Sequence, residues 1–223
     1  MKRNVSLKDI SDGRLYGIND MVKAGCNDCM GCSACCQGMG NSILLDPLDI
    51  FRLTENLHMT FEELWNHHVD LNVVDGIILP NIKMKGELEK CTFLNEKGRC
   101  GIHLFRPGIC RLFPLGRYYE NGSFRYFLQI NECKSEKKTK VKIRKWIDTE
   151  DIIKNEQYIN QWHYFLIDVQ EMVKNIEDPR VIKQINMYIL EKFFARTYEN
   201  EDFYSQFQKR LEQAKESLAG CAE

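Results

Sequence analysis

Cys26-Asn27-Asp28-Cys29-Met30-Gly31-Cys32-Ser33-Ala34-Cys35-Cys36 puts five cysteines into eleven residues. A cysteine that packs as a small buried hydrophobe has no reason to recur at every third position. A repeated two-residue gap lets successive thiolates wrap one centre from a tight loop, as in tetrahedral zinc sites and iron-sulfur clusters. The chain is therefore expected to be organised around metal.

Downstream of that loop, Asp46-Pro47-Leu48-Asp49 reads as an N-cap, a proline at the first helical position and an acid in the first turn, opening a helix to about Leu57. Thr60-Phe61-Glu62-Glu63 is a capping box for a second helix from Phe61 to about Val69. Short β-branched runs follow, Val73-Val74 and Ile77 to Met84, broken by Gly76 and Pro80, and these are expected to be strands. Asn95-Glu96-Lys97-Gly98 is a turn that would bring Cys91 near Cys100. Asn121-Gly122, between Arg117-Tyr118-Tyr119 and the run Phe124 to Leu128, favours a tight hairpin and completes a small antiparallel sheet. From Asp148 onward, apolar residues at helical spacing (Ile152, Ile159, Trp162, Leu166, Val169, Val173) predict a long helix. A second helix follows Asp178-Pro179 and a third runs from about Glu201 to Gly220. The aromatic residues of these helices read as core. The expectation is an α+β chain: a cysteine-rich metal domain over 20–140 and a helical C-terminal region over 148–220.

Composition narrows the function. With 223 residues, 43% hydrophobic, the chain can bury a core and is not a small disulfide-stapled scaffold. Its 31 basic and 32 acidic residues give a net charge of -1, so no global field favours nucleic acid or an acidic membrane. The basic strip Lys134 to Lys145 reads as a solvated link between the two regions, and nucleic acid is not an expected partner. The basic start Met1-Lys2-Arg3 is not followed by the apolar stretch of a signal peptide, and no run is long enough to cross a membrane. The cytoplasm is the expected address. There, reducing thiol pools make ten cysteines metal ligands or redox centres rather than disulfides.

The remaining cysteines are Cys91, Cys100, Cys110, Cys133 and, near the C-terminus, Cys221, which reads as an ordinary thiol. Cys26, Cys29, Cys32 and Cys36 reproduce the ferredoxin spacing C-x2-C-x2-C-x3-C, but Gln37 stands where ferredoxins carry proline and there is no second copy. Adjacent Cys35 and Cys36 are hard to place on one ion in a relaxed geometry, so one of them is expected to serve a second centre or to bridge. Arg106 and Arg111 flank Cys110 and could bind beside the cofactor, giving thiolates the positive charge and donors they need; a surface salt bridge is the other reading. His103 could ligate, or donate from further out.

Cys29-x2-Cys32-x2-Cys35-Cys36, then Cys91, Cys100-Gly101-Ile102-His103 and Arg106-Pro107-x2-Cys110-Arg111-Leu112-Phe113-Pro114, resemble the YkgJ-type cysteine-cluster family, the zinc- or iron-chelating CxxCxxCC domain. The resemblance covers roughly residues 26 to 133, and flagellin lysine N-methylases look like relatives. It implies that Cys29, Cys32, Cys35, Cys36, Cys91, Cys100, Cys110 and Cys133 are the metal ligands, with Cys26 outside the core pattern. Eight thiolates would serve two four-ligand centres, or one cluster with spare thiols. An iron-sulfur cluster (4Fe-4S) with a redox or group-transfer role is the first expectation. A structural zinc module engaged in protein-protein interaction is the alternative. The methylase-like relatives extend the first to a protein substrate, yet neither a G-x-G-x-x-G turn nor a C-x3-C-x2-C radical motif is present. Catalytic residues are therefore not assigned.

Overall fold

A computed structural model describes residues 6–26, 32–135, 137–199 and 202–219. In chain order the elements begin with α1 (Leu7–Ile10), β1 (Met21–Gly25), α2 (Pro47–Leu57), α3 (Phe61–His67), β2 (Val69–Val74) and β3 (Ile77–Ile82). There follow β4 (Met84–Lys85), β5 (Lys90–Cys91), α4 (Gly108–Leu112), β6 (Leu115–Glu120), β7 (Ser123–Leu128), β8 (Thr139–Lys142) and α5 (Ile143–Ile147). The chain closes with α6 (Ile152–Lys174), α7 (Pro179–Leu190) and α8 (Phe203–Ala219). The architecture is α+β. Instead of one small sheet, the strands of the described residues form four two-stranded ribbons, β1 with β8, β2 with β3, β4 with β5 and β6 with β7.

These elements divide into two compact units, each built from two chain segments. The helical unit holds Leu44–Ile82 and Gln161–Glu223. The Asp46 and Thr60 capping boxes both form, so the starts of α2 and α3 lie where their sequences place them. β2 and β3 pair from Val69↔Ile82 to Val74↔Ile77 across Asp75-Gly76, both at positive φ, which suits a tight hairpin. Pro80 does not break β3. Its carbonyl accepts from Leu45 N (2.9 Å), so the side of the residue that lacks an N–H faces away from β2 and no ladder bond is lost. The Asn186 side chain fastens this hairpin to α7: Oδ1 accepts from Ile78 N, while Nδ2 donates to Gly76 O (3.1 Å) and Ile182 O (3.0 Å). Trp162, Phe193 and Phe207 are buried against one another, with the Trp162 and Phe193 rings 5.0 Å apart. The aromatic stripe is core.

The cysteine unit holds Lys2–Ile43 and Lys83–Asn160. Its core gathers Val22 and Ala24 from β1, Leu112 from α4, Leu115 and Tyr126 from β6 and β7, Ile143 and Ile147 from α5, and Ile152. The β6–β7 hairpin turns at Asn121 (φ 51) and Gly122 (φ 74) as Asn-Gly predicts. Within it Gly116 pairs with Phe127, and the Phe127 ring occupies the space a Cβ on Gly116 would need. The strip read as a solvated link is largely regular structure: Thr139–Lys142 forms β8, whose Val141 and the following Ile143 pack into the core. The lysines around them masked that alternation in the sequence.

Candidate metal centre

Local pairing explains how the second cysteine group meets the first. The turn over 95–98 closes with Gly98 N donating to Asn95 O (2.9 Å), and Leu94 bridges Cys100. Cys91 and Cys100 thereby come to the two sides of one loop. Gln37 then bridges Lys90 antiparallel, and Gly38 N donates to Glu89 O (3.1 Å). In an antiparallel ladder a pair at 37↔90 sets residue 36 opposite residue 91. The short 3-10 turn Ala34–Cys36 is thus held across from β5.

Cys35, Cys36, Cys91 and Cys100, all half-buried, lie within one another's electrostatic reach, and Arg106 reaches Cys35 and Cys100. The Cys35 and Cys36 sulfurs are 3.9 Å apart. The two share a proton: the bond from Cys36 pulls the Cys35 thiol down to about 7, against the opposing effect of burial. Cys36 is pushed far up by giving that bond, and further by burial and by Cys35, Cys100 and Cys91. Burial also raises Cys91, countered by the Phe93 N–H, and raises Cys100, countered by the Ile102 N–H and Arg106. An N–H two residues beyond a cysteine and aimed at its sulfur is a donor that a metal-bound thiolate uses. The Thr92 hydroxyl, next in the chain to Cys91, is buried without a hydrogen-bond partner, a feature that sequence reasoning did not pick out.

This donor set fits a thiophilic cation. Four thiols gathered in one place, three of them held protonated by burial and mutual repulsion, are what a divalent ion would ionise together. Among the described residues, however, no three His, Cys, Asp or Glu side chains are drawn tightly enough to hold an ion. The group is an assembled set of donors rather than a closed shell.

The other expected residues are placed as follows. Cys32 is exposed just before the 3-10 turn, and Cys26 follows β1. Cys110 sits on α4, and the carbonyl of Cys133 accepts from Lys138 Nζ (3.1 Å). Cys29 and Cys221 lie outside the described residues. Arg106 Nη1 packs against the His103 ring, 3.0 Å from each ring nitrogen, and donates to His103 O (2.9 Å). Arg111 is buried, donating to Arg106 O (3.1 Å), Asp148 O (2.7 Å) and Leu104 O. It holds the loop that carries Arg106, which positions the charge beside the thiols.

A family model described as "CxxCxxCC: Putative zinc- or iron-chelating domain" matches residues 28–146, over half of the chain. No curated protein and no solved structure matches.

Proposed function

Because the chain belongs to the CxxCxxCC family of zinc- or iron-chelating domains, we propose that Cys35, Cys36, Cys91 and Cys100 hold one metal ion, and that the ion is zinc in a structural role. One observation carries this reading: the 3.9 Å between the Cys35 and Cys36 sulfurs. Bonds of about 2.3 Å at tetrahedral angles give a sulfur-sulfur edge of roughly 3.8 Å. Adjacent cysteines can therefore span one edge of a four-thiolate site, the arrangement the sequence alone made doubtful. A 4Fe-4S cluster takes one thiolate per iron and sets its ligands further apart than such an edge. Zinc would ionise the thiols and clamp the 3-10 turn to β5 and the 95–98 turn without redox chemistry. Arg106 would offset the negative charge of the thiolates, and the Phe93 and Ile102 amides would donate to them. Cys29, Cys32, Cys110 and Cys133 remain proposed ligands for a second centre.

Metal analysis and a visible spectrum on protein purified without oxygen test the reading. Colourless protein with bound zinc is expected, with one equivalent lost in both Cys36→Ser and Cys91→Ser. Iron with acid-labile sulfide and a broad visible band that bleaches on reduction would overturn it in favour of an iron-sulfur cluster.

A further inference from the structure

The near-neutral chain hides a segregation of charge. Residues 2–43 and 83–160, the cysteine unit, carry 22 Lys and Arg against 14 Asp and Glu, a net of +8. The rest of the chain carries 9 against 18. An asymmetry of that size between compact units is an electrostatic footprint that a whole-chain charge of -1 conceals. A four-thiolate zinc centre would withdraw only about two charges from the cysteine unit.

Part of the excess lies along β1, β8 and α5. Val22 and Ala24 of β1 turn into the core, as does Val141 of β8, so Met21 and Lys23 on one strand and Lys140 and Lys142 on the other face outward. Met21 pairs directly with Lys142. α5 follows β8 directly in the chain and carries Arg144 and Lys145, both exposed. Among the described residues none of Lys23, Lys140, Lys142, Arg144 and Lys145 forms an ion pair. Arg144 instead donates to Asn19 Oδ1 (3.3 Å).

Three observations select the partner. A membrane-binding element presents apolar side chains beside its cations, whereas here the apolar side chains are sealed in the core and Met21 alone is exposed. A protein interface needs a desolvated cluster of aromatic or aliphatic anchors at its centre, and this face offers Met21 without a second apolar side chain on β1 or β8. Single-stranded nucleic acid is held by exposed rings that stack on bases, but the Trp146 ring of α5 is half-buried with its N–H on the Leu112 and Phe113 carbonyls. A two-stranded ribbon that displays repeated cations without an anchor matches the phosphate backbone of a duplex, whose groove admits such a ribbon. We infer that the outer face of the β1–β8 ribbon, with the start of α5, is a sequence-independent contact for double-stranded nucleic acid.

Fluorescence anisotropy of a short labelled duplex DNA, titrated with the full metal-loaded chain over a series of salt concentrations, tests this. Five cations on phosphates predict a slope of log affinity against log salt of about -4.5. Lys140→Gln with Lys142→Gln should reduce that slope by about two and weaken binding about ten-fold at low salt. Lys23→Gln with Lys145→Gln should act alike, while the exposed control pair Lys183→Gln with Lys215→Gln in the helical unit should change nothing. The inference fails if no duplex binds at low salt, or if the control pair matters as much as the ribbon pairs. It also fails if only single strands, phosphatidylserine vesicles or poly-glutamate are bound.

Discussion

Replacing Cys36 with alanine in the metal-free chain separates a shared-proton thiol pair from two independent thiols. With Cys36 present, Cys35 has a pKa of about 7 and is half thiolate at pH 7. The bond from Cys36 is the largest contribution to that shift, so Cys36→Ala should return Cys35 toward its ordinary value of about 9. At pH 7 that leaves about 1% thiolate, a roughly 50-fold fall. The more basic thiolate is intrinsically more nucleophilic, by about 8-fold for a Brønsted coefficient near 0.45, so the net expectation is a roughly six-fold slower reaction. The assay is the pH 7 rate of iodoacetamide labelling at the Cys35 peptide, followed by mass spectrometry on protein stripped of metal. At pH 10, where both forms are ionised, the order should reverse, the variant reacting faster through its more basic sulfur. A Cys35 rate at pH 7 unchanged by Cys36→Ala would refute the shared proton and with it the edge geometry on which the zinc reading rests.

The same pair gives the metal-free chain a stability optimum in pH. The depressed Cys35 contributes above pH 9 and loses its contribution as pH falls through about 7; the raised Cys36 contributes below pH 9 and loses its contribution as pH climbs. Urea midpoints should therefore increase from pH 7 to about 9 and decrease beyond. Gly116→Ala drives a methyl into the Phe127 ring and should destabilise the cysteine unit by about 1–3 kcal/mol in thermal unfolding, with unchanged metal content in the folded protein. Arg111→Met strands three backbone carbonyls and should cost about 2–3 kcal/mol; metal stoichiometry at low temperature should survive it, since no thiol is removed. Tyr126→Phe removes a buried hydroxyl that donates to Glu156 (2.9 Å) and should cost about 1 kcal/mol by denaturant titration.

What the sequence revealed was what depends on neighbours in the chain. The α2 and α3 starts were legible because Asp46 with Asp49, and Thr60 with Glu63, satisfy their own helix ends three residues apart. Asn121-Gly122 was legible because positive φ at two successive residues restricts the choice of side chains. The β1–β8 ribbon was not, since more than a hundred residues separate its strands and lysines interrupt the short apolar alternation of Thr139–Lys142. Pro80 misled because a proline is excluded only from the bonded side of a strand, and which side is bonded is a tertiary fact. In the site, cysteine spacing announced a thiolate cluster, but not that Cys36 would face Cys91, which hangs on the distant bridge between Gln37 and Lys90. The carbonyl partners of Arg111 have no sequence signature at all.

That bridge reaches beyond the thiols. Residues 37–90 lie between Cys36 and Cys91, and they include Leu44–Ile82, which belongs to the helical unit. An ion bound to both cysteines would tie this stretch into a closed loop. In the chain-entropy account of cross-links, a loop of that length lowers the freedom of the unfolded chain by about 4 kcal/mol. Loading the ion would then act on α2, α3 and the β2–β3 hairpin through connectivity alone, though none of them supplies a ligand.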